Sequence, residues 1–213
     1  MTDTMIVGES GTLEPPLDTL SGEELDRLLF GRILGLAALE PVRPLTHALG
    51  LGRDALAALV ARHAPDHAPL LSGLPADTGG DTGEDAIEEE DLRAFLLDHR
   101  ASDAEEEVWL AAIVARRSLE PNHLWQDMGF ASRRELNAMF RRHFPALVER
   151  NSADMKWKKF FYRSLCEREG LLLCKSPNCE VCEDFEACFG GEEGDPLSAL
   201  ARAVRAEEGL KGR

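Results

Sequence analysis

The chain has 213 residues, with 24 Lys and Arg against 39 Asp and Glu, for a formal net charge of −15. That length suits one domain or two small ones, and a hydrophobic fraction of 44% is enough for a core. Bulk charge of this sign argues against a nucleic-acid-binding protein.

The opening MTDTMIVGESGTLEPP has neither a basic n-region nor an apolar h-region, so no secretory leader is read there. No apolar run approaches the roughly 18 residues of a membrane helix. A soluble cytoplasmic protein is expected.

Residues 1–20 are small and polar, with Pro15 and Pro16, and are expected to be a disordered tail. A first helical unit spans 21–71. Ser21-Gly22-Glu23-Glu24 is a capping box; Leu25, Leu28, Leu29, Ile33, Leu36 and Ala37 follow at helical spacing, and Pro41 ends the helix. A second helix is read over 54–63, stopped before Pro65.

Residues 72–91 are read as a flexible acidic linker, because eight of those from 77 to 91 are acidic and none is basic. A second helical unit and a long helix fill 92–170. Ser102-Asp103-Ala104-Glu105 and Ser132-Arg133-Arg134-Glu135 are two further capping boxes, and HLWQDMGF makes a short helical turn between their helices. In the long helix, read over 154–169, Trp157, Phe160, Phe161 and Leu165 share an inward face, and Gly170 can cap the C-terminus. A cysteine-rich metal loop is assigned to 171–190. The tail, 191–213, can open a short helix at Asp195-Pro196.

LFGRILGLAALEP (29–41) echoes VWLAAIVARRSLEP (108–121), and LGLGRDALAALVARHAP (49–65) echoes MGFASRRELNAMFRRHFP (128–145). Gly50 matches Gly129, His63 matches His143 and Pro65 matches Pro145. No strand pattern stands out. The expected fold is all-α: a helical bundle of two related helix–turn–helix units about a pseudo-twofold axis, with a C-terminal cysteine-rich metal loop.

Four of the five cysteines lie in CKSPNCEVCEDFEAC: Cys174, Cys179, Cys182 and Cys188, spaced C-x4-C-x2-C-x5-C. No single helix or strand face presents four thiols at this spacing, whereas a loop wrapped around a small object does. Thiolates select zinc, cuprous copper or iron–sulfur clusters. Zinc sites set two ligand pairs well apart, so this compact run favours an iron–sulfur or mixed-metal cluster over zinc. Disulfides rank last for a chain read as cytosolic. Phe185 and Phe189 can shield sulfide from water; Glu180, Glu183, Asp184 and Glu186 read as a solvated rim.

Residues 116–175 hold thirteen Lys or Arg against seven Asp or Glu. Those around 133–163 can form an electropositive patch near the cysteine loop, or simply a charged helix surface. His63 and His143 read as histidines at helix C-termini. His123, beside Trp125 and Asp127, is more open to a role, while His47, His67 and His99 lack supporting context. Cys166 reads as a buried small residue. There is no nucleotide-binding loop, no Gly-x-Ser-x-Gly elbow and no His-Glu-x-x-His, so nothing points to a hydrolase.

HLWQDMGFASRRELNAMFRRHFP, DMKWKKFFYRSLCEREG and LCKSPNCEVCEDFEACFG closely resemble the nitrogen-fixation family NifQ, whose metal motif has this cysteine spacing; a weaker likeness covers residues 25–65. The resemblance implies a molybdenum carrier rather than an enzyme. In it Cys174, Cys179, Cys182 and Cys188 would hold an iron–sulfur cluster, of 3Fe-4S or 4Fe-4S type, with molybdenum; for a carrier that must release its metal, one of the four is expected to be exchangeable. The implied partners are the nitrogenase iron protein and the scaffold on which the iron–molybdenum cofactor is built, with molybdate or another molybdenum source upstream. No nucleic acid or membrane is involved, and the chain is expected to act as a monomer.

Two rivals stand beside this reading. Helical DNA-repair glycosylases carry a similar C-terminal four-iron loop, but with six residues between the first two cysteines where this chain has four, and no glycine-rich helix–hairpin–helix turn is present here. A structural zinc or cluster protein without metal transfer differs in its metal.

Overall fold

A computed structural model describes residues 16–40, 43–74, 86–170 and 185–197 of the chain. Within them every regular element is helical. The long elements form where apolar residues recur at helical spacing.

Helix α1 (Gly22–Ala37) begins at the capping box expected for it. The Glu24 amide donates to Ser21 Oγ at 3.3 Å, and the Ser21 amide donates to the Glu24 carboxylate at 2.8 Å. The chain then runs through α2 (Leu45–Leu49) and α3 (Arg53–His63) to a 3-10 stretch at Pro65–Leu71. Helices α4 (Ala86–Asp98) and α5 (Glu105–Ser118) pack on one another. After them come α6 (Leu124–Asp127), α7 (Arg133–His143), α8 (Pro145–Arg150), α9 (Trp157–Arg168) and α10 (Phe185–Phe189).

Helix α5 is the axis of the body. Trp109, Leu110, Ile113, Val114 and Ala115 are buried on it, and it touches α2, α3, α4 and α6. Six phenylalanines, at 30, 95, 130, 140, 144 and 161, are fully buried. Each is worth about 1.5–3 kcal/mol of transfer free energy. The inward face of α9 is as expected: Trp157 stacks on Phe140 with ring centroids 3.9 Å apart, and Phe160 and Phe161 complete the cluster.

Several local readings need correcting. The stretch expected to be linker is helical from Ala86 onward. Its Glu89 is buried because Arg116 of α5 and Arg93 one turn on hold the carboxylate at 2.8 and 2.6 Å. Residues 75–85 of that stretch lie outside the described residues, as do residues 1–15 of the tail, the stretch 171–184, and the final segment from residue 198.

The Ser102 box is displaced. Helix α5 starts at Glu105 behind Ala104, and Ser102 instead gives its amide and hydroxyl to Glu107 at 2.8 and 3.0 Å. Ser132 is the N-cap of α7 but its side chain makes no cap bond; the Glu135 carboxylate takes the Ala131 amide. Pro145 does more than stop α7. It occupies the first position of α8, where its fixed φ and missing N–H are tolerated.

Contacts recur at an offset of about eighty residues. His63 of α3 lies 2.9 Å from Glu106 of α5, and His143 of α7 lies 2.8 Å from Asp26 of α1. Gly50 (φ 62°) sits against Ala112 and Arg116 of α5, and Gly129 (φ 78°) against Arg32 and Leu36 of α1. The backbones that leave α3 and α7 match, with φ/ψ of −148°/57° at Ala64 and −140°/53° at Phe144. Among the described residues no helix is long and apolar enough to cross a membrane.

Candidate metal centre

Of the four clustered cysteines, Cys188 falls among the described residues, and Cys174, Cys179 and Cys182 fall outside them. Cys188 lies on α10, half-buried against the core, with a free thiol. Its neighbours Phe185 and Phe189 stack on each other with ring centroids 4.9 Å apart, Phe185 being exposed. Glu186 is exposed, and the other acids of the expected rim, Glu180, Glu183 and Asp184, lie outside the described residues.

The backbone around Cys188 is tied to the start of α9. The Lys156 amide donates to the Cys188 carbonyl at 2.8 Å, and Lys156 Nζ donates to the Glu186 carbonyl at 2.9 Å. Lys156 is itself held in a built turn. Asn151 brackets Met155, accepting its amide at 2.9 Å and donating to its carbonyl at 2.8 Å. Asp154 in this turn has φ 54°, the one positive φ at a non-glycine position among the described residues. Left-handed backbone at such a residue persists only where the surroundings hold it. Here Arg133 does so, donating to the Asp154 carbonyl and carboxylate at 3.1 and 2.9 Å and to the Met155 carbonyl at 3.1 Å.

Just beyond α10, Glu192 and Asp195 contact the body. The Glu192 carboxylate is 3% exposed, 2.9 Å from Arg133 Nη1 and 3.2 Å from His123 Nδ1. Gln126 donates to the Asp195 carbonyl at 2.8 Å. Sequence reasoning singled out His123 without a partner and missed Glu192 altogether. The acid sits four residues past the last cysteine, but its partners are distant in sequence and only the fold brings them together.

The electropositive patch is smaller than the sequence suggests. Arg133 is engaged as above, Lys158 holds Asp127 at 2.6 Å, and Arg142 grips Asp26 through two 2.8 Å bonds. His63 and His143 are buried against acids, beyond the helix-end role expected of them. Burial raises the Asp26 carboxyl, but the hydrogen bonds from His143 and Arg142 outweigh it and leave the group below the usual aspartate range. His99 is bonded to the Phe95 carbonyl and to Arg150. Cys166 is half-buried and free.

Among the described residues no group of three or more His, Cys, Asp or Glu is arranged to hold a metal ion. Candidate ligation thus rests on the cysteine run. A free, half-buried thiol on anchored backbone, flanked by stacked phenyl rings, is a donor suited to a soft metal centre.

The described residues form an all-helical body, and the sequence carries a four-cysteine run at 174–188. The family model of NifQ matches residues 29–190, and the chain belongs to the NifQ family. It is 43% identical to protein NifQ of Azotobacter vinelandii over 152 residues, covering 68% of this chain and 78% of that one. It is 36% identical to the NifQ homolog of Sinorhizobium fredii over 192 residues, 88% of this chain and 81% of that one. With protein NifQ of Rhodobacter capsulatus it shares 44% identity over 147 residues, 68% of this chain and 78% of that one. No solved structure matches the chain.

Proposed function

We propose that this chain is a molybdenum carrier of nitrogen fixation. Cys174, Cys179, Cys182 and Cys188 hold an iron–sulfur cluster of three- or four-iron type together with molybdenum, for delivery to synthesis of the nitrogenase iron–molybdenum cofactor. The observation that carries the reading is the C-x4-C-x2-C-x5-C run within a NifQ-family chain. When bound, such a cluster offers molybdenum sulfide and thiolate ligands in place of the oxygens of molybdate.

The chain's own part is to hold and to present. Four thiolates bind the cargo, and Cys188 is half-buried rather than enclosed. A fully buried centre would be harder to unload. No residue is assigned a catalytic role: the protein is a carrier, working in the cytoplasm as a monomer. Its acceptors are the nitrogenase iron protein and the cofactor scaffold.

The helical body is two related units about a pseudo-twofold axis. The reciprocal pairs His63–Glu106 and His143–Asp26, and the matched glycines Gly50 and Gly129, support this arrangement.

A transfer experiment tests the function. Loaded protein is incubated without oxygen with the scaffold and the nitrogenase iron protein, then separated from them. Molybdenum is expected to leave with the scaffold. Molybdenum that stays with this chain contradicts the reading.

A further inference from the structure

We infer that Glu192, with Arg133 and His123, is a positioning group that fixes Cys188, one of the four thiolates, to the helical body. The inference rests on the carrier reading above and says which end of the cysteine run stays put.

Three ties converge on this short stretch. The Lys156 amide holds the Cys188 carbonyl at 2.8 Å. Four residues on, the Glu192 carboxylate is buried between Arg133 and His123. Gln126 then holds the Asp195 carbonyl at 2.8 Å. Arg133 links the first two ties. One guanidinium group forms an ion pair with Glu192 and donates to the Asp154 and Met155 carbonyls, which immediately precede Lys156.

A carboxylate 3% exposed is costly to place unless paired. Its ion pair with Arg133, 2.9 Å at closest approach, therefore resists opening, because separating the two would leave a buried charge uncompensated. Gly194 sits within this stretch at φ 144°, a backbone conformation that favours glycine. A ligand on backbone tied this way does not swing to an acceptor.

The test uses Glu192→Gln, which keeps the shape and removes the charge. Its first arm needs no metal. In full-length chain with Cys166, Cys174, Cys179 and Cys182 replaced by serine, alkylation of Cys188 by iodoacetamide is timed with and without Glu192→Gln. The rate is expected to rise about tenfold as the anchor opens, while the thermal midpoint of the helical body holds. An unchanged rate overturns the anchor whatever the protein carries.

The second arm uses protein loaded in cells and times the loss of iron to bipyridyl. Glu192→Gln is expected to speed loss about tenfold by the same weakening. Faster alkylation with unchanged iron loss overturns the role of Cys188 as the fixed ligand. Wild-type protein that carries no iron at all contradicts the carrier reading and leaves the first arm to judge the anchor.

Discussion

His143 Nε2 lies 2.8 Å from Asp26 Oδ1, joining residues 117 positions apart in the chain, and both side chains are buried. Arg142 adds two bonds to the same carboxylate. Removing the acid leaves a buried imidazole without its partner. Asp26→Ala is therefore expected to destabilise the fold by about 3 kcal/mol, read from urea unfolding. A loss below about 1 kcal/mol, the scale of an exposed ion pair, would show that the contact does not hold α1 to α7.

The reciprocal pair gives a pH dependence. Glu106 is held at about 2 against an ordinary 4.5: burial opposes ionisation, and hydrogen bonds from Arg62 and His63 prevail. A carboxyl with a depressed folded pKa adds stability that is present above its unfolded value and lost as pH falls through the folded one. Stability should thus drop between pH 4.5 and about 2. Glu106→Gln should flatten that limb in denaturation midpoints followed across the range. Parallel acid limbs for the two proteins would contradict the assignment.

The matched glycines should differ in tolerance. Both have positive φ, which a side chain resists by about 1–2 kcal/mol. At Gly129 a Cβ would also stand 2.6 Å from the Arg32 carbonyl and 2.8 Å from Leu36 Cβ. At Gly50 its nearest neighbours lie at 3.2 Å. Gly129→Ala is expected to cost about 3 kcal/mol and Gly50→Ala about half that. Calorimetry that ranks them the other way would overturn this account of the two turns.

The helices were legible where one face is apolar and a local cap marks the end, as at Ser21 and along Trp157, Phe160 and Phe161. Errors came where a distant partner decided the outcome. Glu89 looked like linker because nothing near it in sequence announces Arg116. Ser102 looked like a cap, but Glu107 two residues beyond the expected one claims its hydroxyl. The histidine–acid pairs were within reach: the repeat offset that aligns His63 with His143 also aligns Asp26 with Glu106. The cysteine run was legible as a motif, though three of its four thiols lie outside the described residues. Its anchor was not, since Glu192, Arg133 and His123 meet only once α6, α7 and the segment after α10 are packed.

The most direct test of the carrier reading is metal analysis with electron paramagnetic resonance, on protein purified without oxygen from molybdate-fed cells. Iron and molybdenum are expected together, a few iron per molybdenum, and both should vanish when Cys174, Cys179, Cys182 and Cys188 are replaced by serine. Zinc alone, or iron without molybdenum, would contradict it.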